Sequence, residues 1–124
     1  MSDTSKSRLA LSAFFKVAEA WGLSEEEELA ILGLCNHEVL RAWKAAEGSD
    51  VSNETLMRIS YVLGIYRAIN TLLPRRNVAN AWIRQPNEAP TFRNRSALEL
   101  MVDGSIGKLK EVRQYLDAEA PPLN

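Results

Sequence analysis

Apolar side chains along this chain recur at intervals of three and four, the rhythm of helices with one buried face. Residues 8–21 place Leu11, Phe14, Phe15, Ala18 and Trp21 in that rhythm, and Gly22 then offers the left-handed backbone on which helices end. Ser24 with Glu27 three places on is a capping box, in which the hydroxyl and the carboxylate each satisfy a backbone N–H of the first turn. The run Glu25, Glu26, Glu27 and Glu28 adds negative charge where the helix dipole favours it. A second helix is therefore expected from the Ser24 cap to near Leu32. Gly33, Leu34 and Cys35 read as a tight turn, and Asn36 as the N-cap of a third helix that carries Val39, Leu40 and Trp43 inward. Residues 47–49 break that helix.

Ser52 or Asn53 then caps a longer helix running to Leu73. Leu56, Ile59, Leu63 and Tyr66 form one apolar stripe on it, and Val62, Ile65, Ile69 and Leu72 another. Two stripes leave little polar face, which predicts cover on both sides, by the N-terminal helices and by a second module or subunit. Pro74 closes this half. A short helix opening at residues 75–77 is expected to carry Val78, Ala81 and Trp82 and to stop before Pro86. Residues 85–94 read as a proline-containing loop. Ser96 with Glu99 is a second capping box, for a helix carrying Leu98, Leu100, Met101 and Val102 to a stop at Asp103 and Gly104. A last helix follows from Ser105, with Ile106, Leu109, Val112 and Leu116 on one face. The pattern predicts no strand. The expected fold class is all-α: a bundle at residues 8–73, a smaller helical module at 74–117 and a polar tail at 118–124.

With 46% hydrophobic and 25% charged residues, the chain has the material for a core, which excludes a disordered reading. No run approaches the roughly 18 to 20 apolar residues a membrane span needs, and the first residues lack a signal-like apolar stretch, so the expected location is the cytoplasm, with no membrane partner. One cysteine, Cys35, and one histidine, His37, exclude a disulfide framework and fall short of the roughly four ligands of a structural zinc site. Charge divides unevenly: residues 1–74 hold 7 Lys+Arg against 10 Asp+Glu, and residues 75–124 hold 8 against 6. An acidic first half weighs against nucleic acid, because phosphate binding draws on a basic surplus.

The first half nevertheless contains what a helix-turn-helix requires across residues 29–44. A helix ends at a glycine turn and a second helix starts directly after it, with polar groups on its outer face. In such a unit the second helix enters the major groove, making Asn36, His37, Arg41 and, more weakly, Lys44 the candidate DNA contacts. Against this stand Glu38, the preceding glutamates, and the fact that any three-helix bundle contains such a turn. Enzyme chemistry has little to build on. Cys35 and His37, two apart, point to different sides of a helix, and Cys35 reads as a small, half-buried residue. There is no glycine-rich phosphate loop, HExxH or CxxC. The expectation is a protein without catalytic residues, cofactor or metal.

In the second half, Trp82-Ile83, Pro86-Asn87, Phe92, Ser96-Ala97-Leu98, Gly104 and Tyr115-Leu116 follow one another in an order that resembles the C-terminal toxin-binding domain of the Xre/MbcA/ParS antitoxin family. Residues 59–66 resemble the end of the Xre-type helix-turn-helix domain that precedes it, so the similarity extends over about residues 14–116. Asn94 departs from the family's usual glycine, Ala97 from its usual proline, and Cys35 from the Ser or Pro common in related turns. The resemblance implies an antitoxin that represses its own operon by binding operator DNA and neutralises a toxin with an NAD-consuming RES domain. The candidate toxin contacts are Phe92, Arg113, Tyr115, Asp117, Glu119, Leu123 and Asn124. Trp82, Pro86, Pro90 and Phe92 are bulky for so small a module and read either as interface anchors or, for the aromatics, as a mini-core. A homodimer through the long helix and the second module would match a two-fold operator. The acidic groups Asp117, Glu119 and the carboxylate of Asn124 could lie over a basic NAD pocket. A module that binds only protein, or a regulator without a toxin, is the alternative.

Overall fold

A computed structural model describes residues 2–47 and 51–119. Among the described residues there are seven α-helices, α1 (Ser2–Trp21), α2 (Glu25–Leu32), α3 (His37–Lys44), α4 (Asn53–Leu72), α5 (Arg76–Trp82), α6 (Ala97–Met101) and α7 (Ile106–Glu119), and no strand beyond one isolated bridge between Pro86 and Ser96. The fold is all-α. Helix ends fall where cap chemistry places them. Ser24 and Ser96 each accept a bond from the backbone N–H three residues on, while Glu27 and Glu99 accept the serine N–H in return. The Asn36 side chain accepts from the N–H groups of Glu38 and Val39, and Gly33 ends α2 at φ +74°.

Helix α1 begins about six residues before its apolar rhythm does. Residues 2–7 contain no Gly or Pro, and extending a helix already nucleated costs little. Helix α4 is the spine of the molecule, packed against α1, α2, α5 and α7, with α7 making the most extensive contact. The expected double cover is thus supplied within the chain. A continuous core runs from Phe14, Ile31 and Leu40 through Ile59 and Ile65 to Ile83, Met101 and Leu109, crossing both halves.

Two features of α4 depart from its apolar stripes. Leu56, Leu63 and Tyr66 are only half-buried, while Thr55 and Arg58 are buried. The Arg58 guanidinium donates to the carbonyl of Ile31 at the end of α2 (3.3 Å), to the carbonyl of Gly104 in the α6–α7 turn (2.9 Å) and to Glu54. A Cβ on Gly33 would lie 2.7 Å from Arg58 Cζ, so this glycine provides room for the clasp as well as a turn. On α5 and at its C-cap, Ala79 and Ile83 are buried and Trp82 half-buried, whereas Val78 and Ala81 face outward. Seven residues make two turns, too few for a pattern to define one face against another.

The segment between α5 and α6 folds back on itself. Asn87 N–H donates to the Arg95 carbonyl, Asn94 N–H to the Asn87 carbonyl, and the Asn87 side chain accepts from Ala89 N–H. Asn94 stands at φ +67°, in the left-handed region for which a glycine is the usual occupant and asparagine the best substitute. Ala97 is the first residue of α6, where proline's fixed φ would be equally at home. Both departures from the family pattern therefore respect the backbone. Asn94→Val should cost about 1–2 kcal/mol and Asn94→Gly should stay within about 0.5 kcal/mol of wild type, read from urea midpoints. Equal midpoints for the two variants would show that the turn imposes no such restriction.

Candidate functional site

The candidate residues fall on two surfaces, one on α2–α3 and one around α5 and α7. On α3, His37, Arg41 and Lys44 are spaced i, i+4 and i+7 and so share a side, and that side faces the glutamates of α2. The Nδ1 of His37 is hydrogen-bonded to Glu25, and Arg41 reaches the same carboxylate at 3.2 Å. Lys44 Nζ lies 2.6 Å from Oε1 of Glu28, a charge contact without hydrogen-bond alignment. Asn36 spends its side-chain oxygen on capping. All four candidate DNA contacts thus have partners within the chain. Their availability differs: the Arg41 side chain is 68% exposed and its solvent-screened pair is weak, so it can be exchanged for a phosphate. Glu28 is only 4% exposed, and moving Lys44 away would leave a buried carboxylate uncompensated. Lys44 therefore anchors α3 to α2. Cys35, expected half-buried, is exposed in the turn, because the turn itself lies at the surface.

The Glu25 carboxyl is held below the usual glutamate range, chiefly by the His37 hydrogen bond, with Arg41 adding and partial desolvation opposing. A carboxylate whose pKa is lowered by folding stabilises the fold above its unfolded pKa of about 4.3, and that contribution disappears as pH falls through the lowered value. The urea midpoints of the wild type and Glu25→Gln should therefore differ at neutral pH and converge on acidification below about pH 4. A constant gap across that range would mean that the Glu25 charge does not hold α2 to α3.

The second surface centres on Phe92. This side chain, expected at the toxin interface, is fully buried, with Trp82 at 5.9 Å and Tyr115 at 4.9 Å between ring centroids, both edge-on. The folded-back loop closes over it and leaves it no surface of its own; the half-buried Trp82 and Tyr115 are the aromatics that reach solvent. The remaining candidates divide between two flanks of α7. Arg113 pairs with Asp117, its Nε 3.2 Å from Oδ2, and crosses α4 at Gly64, where a Cβ would collide with the guanidinium. That flank borders a groove with Lys6, Met57, Leu63 and Arg67. Tyr115 and Glu119 lie on the other flank, beside Trp82, Leu72 and Leu73. Leu123 and Asn124 lie outside the described residues.

The pattern along the sequence missed Leu72 and Leu73 as partners of Tyr115, and it missed Arg84. The Arg84 guanidinium closes the end of α1 by donating to the carbonyls of Trp21 and Gly22 at 3.1 and 2.9 Å. Its placement beside Trp82 in α5 was the available signal, but the partners lie over 60 residues away. Among the described residues no group of three or more His, Cys, Asp or Glu could hold a metal, and no helix is long and apolar enough to cross a membrane.

Comparison with known proteins bears on the second half of the chain. Residues 71–120 match the model of the antitoxin Xre/MbcA/ParS C-terminal toxin-binding domain. Over 118 residues the chain is 36% identical to the Sinorhizobium fredii protein y4oB, itself described as uncharacterized, an alignment covering 95% of this chain and 89% of that one. The Trp82–Phe92–Tyr115 stack, the folded-back loop and the capped α6 all fall within the matched segment. The chain thus belongs to one family with y4oB, with which it shares nearly its whole length, and its residues 71–120 match the toxin-binding domain of the Xre/MbcA/ParS antitoxins.

Proposed function

We propose that this chain neutralises a NAD-consuming toxin of the RES type by direct binding through its second half, and represses its own operon by binding operator DNA through α3. The observation that carries the first part is the match of residues 71–120 to a toxin-binding domain, together with the partly exposed aromatics Trp82 and Tyr115 in that domain. The chain acts by occupying surface and performs no chemistry of its own, in the cytoplasm where such a toxin would find its NAD. In this reading the exposed Asp117 and Glu119 near the end of α7 pair with basic groups at the toxin's NAD pocket, Asp117 exchanging its bond to Arg113. Co-expression with the product of the adjacent reading frame should restore growth and yield a stable complex by size exclusion; failure of both would reject the antitoxin reading.

Operator binding is the weaker part of the proposal, since the α2 glutamates already hold the cations of α3. That observation favours the second reading, a module that binds protein alone. The two readings part on a measurement. If α3 reads DNA as a homodimer on a two-fold operator, Arg41→Ala should weaken operator binding and lower the salt slope by about two, because each protomer loses one phosphate contact. Glu25→Gln should strengthen binding about tenfold at low salt, by releasing Arg41 and removing a charge that repels phosphate. Salt-independent or absent binding, or a monomer by light scattering with and without toxin, would leave the protein-only reading.

A further inference from the structure

Where α4 ends and α7 runs out, Leu72, Leu73, Trp82, Tyr115 and Glu119 surround a concavity of about 230 Å3. Its floor is apolar, built on Ile69 and Leu116, both at most 2% exposed. The space is smaller than the roughly 300–1,000 Å3 of small-molecule sites and lacks their convergent polar groups, so a nucleotide or metabolite would find little to bind. It suits one large apolar side chain. Its walls are set before anything enters: Phe92, wholly enclosed, meets Trp82 and Tyr115 edge-on and holds both rings in place. Rigid Trp and Tyr side chains around a desolvated pocket are the usual composition of an interface hot spot.

The occupant follows from where the pocket lies and from the charge in its lining. Every wall and floor residue except Ile69 belongs to residues 71–120, the segment that matches a toxin-binding domain. The charged group in its lining is the carboxylate of Glu119, exposed and carrying no salt bridge among the described residues. We propose that this pocket receives a single leucine-sized or aromatic side chain of the toxin, with a neighbouring Lys or Arg of the toxin pairing with Glu119. The inference rests on the antitoxin reading and gives that reading an anchor point distinct from the Arg113–Asp117 flank.

Leu72→Trp, which fills the pocket from its rim, and Glu119→Arg, on the exposed end of α7, test it by calorimetric titration with the purified product of the adjacent reading frame. Thermal unfolding of each variant checks the fold, and Glu119→Arg touches nothing in the core. The expected result is at least thirtyfold weaker binding for Leu72→Trp and three- to tenfold weaker binding for Glu119→Arg, with a reduced salt dependence for the latter. Binding within twofold of wild type for both variants would overturn the pocket as an anchor while leaving the antitoxin reading intact. No binding by the unaltered chain would overturn both. A Leu72→Trp effect that vanishes in a chain ending at Glu119 would assign the pocket to this chain's own last residues and overturn the proposal.

Discussion

Phe92→Ala should destabilise the protein by about 3–5 kcal/mol, the usual cost of deleting a fully enclosed aromatic side chain and leaving a cavity. Small domains have only about 5–15 kcal/mol in total, so the variant should unfold at a much lower urea concentration, with an unchanged slope. The reason is specific to this site. Phe92 is wholly buried and meets Trp82 and Tyr115 edge-on, so its removal deprives two further rings of their support. Toxin affinity should then fall as a consequence, because the pocket wall formed by Trp82 and Tyr115 loses its brace. Phe92→Leu, which keeps most of the volume, should cost about 1–2 kcal/mol and retain binding. A side chain that contacted the toxin directly would behave in the opposite way: Phe92→Ala would fold normally and lose only binding. The two measurements therefore separate a structural phenylalanine from an interfacial one.

Arg58→Ala should cost about 3 kcal/mol, the second large effect. At 5% exposure the guanidinium binds two carbonyls from distant parts of the chain, Ile31 at the end of α2 and Gly104 before α7, and also Glu54 one turn away. Removing it leaves acceptors without their donor and a void between the two halves, and hydrogen bonds to charged donors are worth about 1.5–3 kcal/mol each. Arg58→Met preserves the packing of the stem, so the difference between the Met and Ala variants measures the void and the Met loss measures the hydrogen bonds. Because one side chain links the end of α2 to the α6–α7 turn, hydrogen exchange should report faster opening at both places in Arg58→Met. Faster exchange at only one of them would mean that the clasp does not join the halves.

The helix caps of this protein were legible in its sequence because capping is local chemistry. Ser24 with Glu27, Asn36, Ser96 with Glu99, and the left-handed Gly33 all involve groups within four residues of one another, and the structure places each as the pattern requires. The spine role of α4 was legible too, since two apolar stripes demand two partners wherever those partners come from. Even the departures at Asn94 and Ala97 conform to a backbone requirement that a single residue can satisfy.

The arrangement of the candidate sites was decided elsewhere. Helix α5 is two turns long, and its inward side was chosen by what it lies against. Spacing placed His37, Arg41 and Lys44 on one side of α3, but whether that side met solvent or the glutamates of α2 depended on the angle at which α2 and α3 pack. Phe92 passed from expected interface to core when a loop folded over it, and the toxin-binding candidates on α7 were divided between two flanks by the position of α4. Arg58 is the plainest case. Its polar character predicts solvent, and its burial is tolerated because carbonyls 27 and 46 residues away converge on it. Periodicity and capping act over one or two turns and are written in the sequence itself, whereas the burial of a charge or the mouth of a pocket requires partners that only the folded chain brings within reach.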